Sequence, residues 1–481
     1  MNQMMTEKER KQTQPNILLI MPDQMRGDCL SIEDHHVLNT PVMDSIGKEG
    51  AYFSRAYTTC PSCIPARRSL LTGLYPKNSG MVGYREGLPI TTPTLAQVLL
   101  NGGYATSLAG RYMHQFPKDE PYGFETQVLG STYINDDDYA KYLEKKAPHL
   151  GGIKGIGISC NGREVKAWPD EDQLHPTTWA INQSRHILEK HQDERPLFHV
   201  SSYYAPHTPL FPPEDYINDF LKEDLPPIAI GEWAEEPPEE VYKDNLDSER
   251  VKLEGEELRQ IQAGYYGLIK HIDDKLDKLI EEFKEKSRSM SRPWVILLTS
   301  DHGDMLGDHH YFRKCEPYEG SSRIPFLIQA SPEFGFSVGL NCHTPVCLED
   351  IMPTLIELSG LEPLEGLDGK SLVPILRGNR EKVREWLHGE HAPCYTDEQG
   401  FHLLTDGHWK YIWRPFTGVE QLFNLSEDPT ELVNLAQNLN YLDVMEEVRE
   451  RMIAELSSRS EGFVKDGKLV SGCSYPAIYK P

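Results

Sequence analysis

Asn16-Ile-Leu-Leu-Ile-Met21, closed at once by Pro22-Asp23, is an unbroken apolar run about one strand long. An amphipathic helix or a half-exposed strand would interrupt it with polar residues, so the run predicts a strand covered on both faces, as in parallel sheets. A second run of the same kind, Trp294-Val-Ile-Leu-Leu-Thr-Ser300, stops at Asp301-His302. In open parallel sheets ligands gather beyond the carboxyl ends of the strands, so two such strands could bring their carboxylates to one place. Between them, helical patterns over Thr94 to Asn101 and Thr177 to Lys190 alternate with apolar runs such as Pro196 to Tyr204. That alternation predicts an α/β fold, a large doubly wound and mostly parallel sheet flanked by helices. From about Glu254 to Lys286 the spacing of Tyr265, Leu268, Ile272, Leu276 and Leu279 predicts one long helix facing the core.

Near residue 375 the pattern changes. Leu376-Arg-Gly-Asn379 is a breaker, and the aromatic-rich segment from Gly400 to Pro415 reads as antiparallel strands, with a last helix from Leu442 to Ser457. The expected organisation is a polar tail over 1–14, a catalytic α/β domain over 15–375, and a smaller C-terminal α+β subdomain with an antiparallel sheet over 376–481.

Composition narrows the function. With 38% hydrophobic and 26% charged residues, and no apolar run of membrane-spanning length, the chain reads as globular and not embedded in a membrane. A formal net charge of −25 argues against nucleic acid or anionic lipid as a partner. An anionic substrate therefore needs local positive charge. The start, MNQMMTEKERKQTQ, lacks the apolar stretch of a secretory signal, so the expected location is cytoplasmic. Nine cysteines without framework spacing read as mostly reduced and buried.

Cys60 and Cys63 are the exception. They open Cys60-Pro-Ser-Cys63-Ile-Pro-Ala-Arg67-Arg-Ser-Leu-Leu-Thr-Gly73, a short helical segment led by a cysteine with proline two places on and arginine four places on. A side chain at a helix start meets the positive end of the dipole and free N–H groups, which suits a reactive anion or a bound oxyanion. A redox pair or half a zinc site also fits Cys60-x-x-Cys63 in isolation. Zinc, however, lacks a second such pair, and the redox reading leaves the downstream motifs unexplained.

The Cys63-x-Pro-x-Arg67 spacing resembles the signature of the type I sulfatases, members of the alkaline phosphatase superfamily. In that family a maturation enzyme converts the cysteine to formylglycine. Other segments agree. Ile20-Met-Pro-Asp23-Gln24 resembles the family's first metal loop, with Gln24 in place of a second aspartate, and Thr299-Ser-Asp301-His302-Gly303-Asp304 resembles the second, with His302 where many members carry asparagine. Lys314 and His207 match the family's basic residue and central histidine. Gly110-Arg111-Tyr112-Met113-His114 departs from the usual Gly-Lys-x-His, with arginine for lysine and the histidine one place late. The likeness covers about residues 15 to 440 and extends to phosphonate monoester hydrolases and phosphodiesterases, which share the nucleophile.

The resemblance implies a metal at Asp23, Gln24, Asp301, His302 and residue 63, with Ca²⁺ favoured and Mn²⁺ or Mg²⁺ as alternatives because imidazole suits transition metals. It implies attack on sulfur by hydrated formylglycine 63. Arg67, Lys314 and Arg111 would steady the sulfuryl oxygens, and His207 or Lys314 would protonate the leaving alcohol, with His114 as a further candidate. The expected substrate is an anionic small molecule or glycan bearing a sulfate ester.

Overall fold

The computed structural model describes residues 13–132, 134 and 136–480; most of the expected N-terminal tail lies outside these. In chain order the main elements are β1 (Asn16–Asp23), α1 (Pro41–Lys48), β2 (Ala51–Phe53), α2 (Cys63–Thr72), α3 (Leu95–Asn101), β3 (Ala105–Gly110) and β4 (Thr126–Leu129). Then come α4 (Pro176–Lys190), β5 (Leu197–Pro206), α5 (Gly255–Ser289), β6 (Trp294–Thr299), β7 (Phe326–Ala330), β8 (Leu340–Cys342) and α6 (Ile351–Leu358). The C-terminal part holds β9 (Leu387–His391), β10 (Phe401–Thr405), β11 (Trp409–Trp413), β12 (Glu420–Asn424) and α7 (Leu442–Leu456).

Eight strands form the main sheet in the order β4-β3-β5-β1-β6-β7-β2-β8. Only β7 runs against its neighbours. β1 is central, parallel to both β5 and β6, and its alternating side chains explain the unbroken apolar run. Leu18 and Ile20 enter the core on one face with Tyr265, Leu268, Ile272, Leu276 and Leu279 of α5. Ile17, Leu19 and Met21 enter the opposite core with Leu70 and Leu71 of α2 and Leu355 of α6. Truncating any of these large buried side chains to alanine costs about 2–5 kcal/mol.

Local signals set the helices. Thr94 and Gln97 form a reciprocal capping box at the start of α3. The 35-residue α5 carries Glu256 and Glu257 in its first turn and Lys286 and Arg288 in its last, which complements its dipole. No helix among the described residues is long and apolar enough to cross a membrane.

The C-terminal sheet is antiparallel, β9-β10-β11-β12. One face packs Tyr411 and Trp413 against Met445, Val448 and Met452 of α7. The other packs Phe401, Leu403 and Ile412 against Met305 and Tyr318, in the segment that follows β6. Buried ion pairs reinforce this contact: Lys410 Nζ lies 3.0 Å from Glu319 and 2.9 Å from Glu431, and Arg414 lies 3.0 Å from Glu316. The small sheet thus braces the segment that carries Lys314.

Candidate active site

Four adjacent parallel strands, β3, β5, β1 and β6, each end in residues singled out by the sequence. β3 leads to Arg111, β5 to His207, β1 to Asp23 and Gln24, and β6 to Asp301 and His302. Arg111 depends on Gly110. At φ +95° a Cβ on that glycine would sit 1.9 Å from the Ser202 carbonyl oxygen, so no other residue fits. Cys63 comes from elsewhere, at the first turn of α2.

These groups converge around the Cys63 sulfur. His302 Nε2 lies 3.2 Å from Sγ, Lys314 Nζ 3.1 Å and Asp23 Oδ1 3.8 Å. Donor atoms of Asp23, Cys63, Asp301 and His302, all buried, lie within 4.8 Å of one another. Ligands of one ion with bonds of about 2–2.6 Å lie about 3 Å apart when adjacent and up to about 5 Å apart when opposite, so the set fits a divalent cation. His302 Nδ1 is 2.9 Å from the Gly303 carbonyl oxygen and donates to it, which leaves Nε2 facing the cluster.

Arg67 is fully buried and spans two carboxylates. Its Nη2 donates to Asp23 Oδ2 and its Nε to Asp301 Oδ2, both at 2.8 Å. The guanidinium fork therefore holds the two acids rather than facing open space. Arg111 Nε lies 2.7 Å from Asp23 Oδ2, and its guanidinium stacks 4.4 Å from the centre of the Tyr204 ring. Arg111 Nη1 is buried without a hydrogen-bond partner. Burial opposes the charge of Asp23, but Arg111 and Arg67 hold its carboxyl well below the usual range. Burial also opposes ionisation of the Cys63 thiol. Lys314, His302 and Arg111 outweigh it and bring the thiol well below its ordinary value.

Lys314 Nζ also donates to Gln24 Oε1 at 2.9 Å and to His207 Nε2 at 2.8 Å. His207 Nδ1, 2.6 Å from the Thr208 carbonyl oxygen, carries that ring's proton. Burial first, and Lys314 next, lower the His207 pKa. Both ends of the Gln24 amide are engaged, since Nε2 donates to Asp304 Oδ2 at 2.6 Å. His114 sits at the rim, its ring 5.1 Å from Tyr112 and 6.3 Å from Tyr84, with Nε2 3.8 Å from Glu86.

The Sulfatase family model matches residues 15–361. The chain belongs to the sulfatase family. A second model, N-sulphoglucosamine sulphohydrolase, C-terminal, matches residues 307–458. The arylsulfatase of Clostridium perfringens (strain 13 / Type A) is 35% identical, over 96% of this chain and 98% of that protein. The choline-sulfatase of Rhizobium meliloti (strain 1021) is 30% identical, over 88% and 83%. Among solved structures, the phosphonate monoester hydrolase of Agrobacterium radiobacter superposes with a TM-score of 0.77 at 25% identity, covering 92% of this chain and 95% of that one. This sulfatase is therefore a sulfuric ester hydrolase.

Several neighbours of the site carried no assigned role in the sequence. Asp304, inside the Asp301-His302-Gly303-Asp304 motif, steadies Gln24 and accepts from the Leu306 and Arg313 amides at 2.8 and 2.9 Å. Tyr204, beside His207 in sequence, supports Arg111. Tyr265 of α5 donates its hydroxyl to the Gln24 carbonyl oxygen at 2.7 Å, a contact with no local signal at all. All nine cysteines are free, Cys60 and Cys63 included.

Proposed function

We propose that this sulfatase hydrolyses an organic sulfate ester, of a sulfated carbohydrate or another small alcohol, with a nucleophile made by oxidising Cys63 to formylglycine. The observation that carries this reading is the convergence of Lys314 at 3.1 Å and His302 at 3.2 Å on the Cys63 sulfur at the start of a helix. The thiol occupies the place of the oxygen of a formylglycine hydrate, which a separate maturation enzyme would install. Asp23, Asp301 and His302 would hold the cation, Ca²⁺ by the hard oxygen donors, with Mn²⁺ or Mg²⁺ also compatible with the imidazole. When bound, that ion would supply positive charge to the sulfate and to the nucleophile.

The protein's own residues do the rest. Arg67 holds the Asp23 and Asp301 carboxylates side by side on its fork. Arg111 offers its unpartnered Nη1 to a sulfuryl oxygen while the Tyr204 ring supports the face of the guanidinium. Lys314 bridges position 63 and His207, so the pair holds a proton within reach of the departing alcohol oxygen. Hydrolysis of phosphonate monoesters or phosphodiesters at the same site is the second reading, favoured by the structural likeness to a phosphonate monoester hydrolase.

The test pairs mass analysis of the Cys63 peptide with parallel turnover of an aryl sulfate, a phosphonate monoester and a phosphodiester. The expected result is an aldehyde or its hydrate at residue 63, activity that scales with the converted fraction, and the sulfate ester hydrolysed fastest. Cys63→Ala and Cys63→Ser should both lose turnover. Full activity in Cys63→Ser, or dependence on a Cys60–Cys63 disulfide, would overturn the reading.

A further inference from the structure

The turn that delivers Cys63 is held from outside the main sheet. Ser62 stands just before α2 with extended backbone, the position from which a serine ordinarily turns its hydroxyl onto first-turn amides. Its side chain makes no such cap. Instead Ser62 Oγ lies 2.8 Å from Nε2 of His391, 329 residues along the chain at the end of β9. His391 Nδ1 is 2.6 Å from the Ala392 carbonyl oxygen, so Nδ1 carries the proton and Nε2 accepts from Ser62. Burial lowers the ring's pKa to about 4, against the pull of the Ala392 carbonyl, which keeps it neutral at ordinary pH. Phe401 stacks on it at 6.3 Å.

Neighbouring contacts tie down the same turn. Glu390 N donates to the Thr59 carbonyl at 2.7 Å, and Cys315 N, next to Lys314, donates to the Pro61 carbonyl at 2.9 Å. Pro65, third in the helix, has no N–H to cap. With the serine turned away, the amides of Cys63 and Ile64 receive no side-chain cap from Ser62. Ser62 is wholly buried and His391 is 1% exposed, so water does not compete for their contact.

We propose that His391 is a positioning residue for the nucleophile: by drawing the Ser62 hydroxyl off the helix end, it fixes the turn holding Cys63 and leaves the positive end of α2 open to the transferred anion. This rests on reading Cys63 as the site of the nucleophile. The C-terminal sheet then takes part in the chemistry without touching the substrate.

The experiment compares Ser62→Ala, His391→Ala, His391→Gln and the Ser62→Ala/His391→Ala double variant, with aldehyde content and Tm measured for each. His391→Ala and Ser62→Ala should lower kcat per converted site about 10- to 100-fold, with KM changed less than about threefold. The double variant should be no worse than either single one, because both remove the same contact. Glutamine, whose carbonyl can accept from Ser62, should restore most of the loss. Multiplicative losses in the double variant, or an unimpaired Ser62→Ala, would overturn the proposal, and if His391→Ala does not fold, Ser62→Ala and His391→Gln still decide it. A wild-type enzyme bearing the aldehyde yet inert toward all three ester classes would instead sink the reading of Cys63 itself.

Discussion

At the residue scale, Arg67 is the group on which the site's charges balance. It lies fully buried between Asp23 and Asp301, and removing one partner from a buried ion pair typically costs about 3–5 kcal/mol. Arg67→Ala should therefore lower Tm, and the drop should be larger in chelator than with a divalent ion present, because a cation relieves the repulsion between the freed carboxylates. Lysine, a point charge without a fork, should rescue only part of this. Thermal unfolding with and without chelator checks both statements, and an identical metal-dependent shift in wild type and Arg67→Ala would contradict them. Much of this site was legible in the sequence. Asp23 and Asp301 each end an apolar strand run, and Cys63 and Arg67 lie four apart on one helix turn. Which way the Arg67 fork points was not legible, because the choice between substrate and carboxylates depends on Asp301, 234 residues further along the chain.

At the scale of elements, α5 does more than cover the sheet. Asp273, on its buried face, accepts from the Met43 amide at 2.8 Å and so caps the first turn of α1 from a neighbouring helix. Burial raises its carboxyl pKa from 3.8 to about 7, against the Met43 bond and Lys270. The folded state thus keeps a proton that the unfolded chain releases. That contribution to stability is complete below about pH 4 and is lost as pH rises through about 7. Asp273→Asn, neutral throughout and still able to accept from Met43, should gain roughly 2–4 kcal/mol over wild type at pH 8 and only about 1 kcal/mol at pH 4.5. Urea unfolding at the two pH values measures it, and equal differences at both would refute it. The periodicity of α5 gave its place in the core. Its polar residue at 273 carries no pattern that names α1 as partner, because a cap between helices is fixed only by their packing.

For the whole molecule, a net charge of −25 surrounds a site built to receive an anion. Long-range repulsion should slow encounter with an anionic aryl sulfate at low salt, where the screening length is about 30 Å at 0.01 M, and fade near 0.15 M, where it is about 8 Å. kcat/KM for such a substrate should rise across that range, while a zwitterionic sulfate ester of zero net charge should show little change; a fall for the anion would show that local cations dominate the approach. The broad architecture followed from apolar runs and helical spacing, because both faces of the main sheet are buried and each strand records this locally. The bracing of the Lys314 segment by the C-terminal sheet did not follow, since it rests on pairs such as Lys410 with Glu319 that no local pattern joins. The Ser62–His391 contact also imposes an order in time. With 329 residues between its partners, and synthesis at about 5–20 residues per second, the cysteine leaves the ribosome roughly 15–65 s before the histidine that closes over its turn is made. On the formylglycine reading proposed above, the maturation enzyme would meet the Cys63 turn before the Ser62–His391 contact can form, since in the folded chain Cys63 is only 2% exposed.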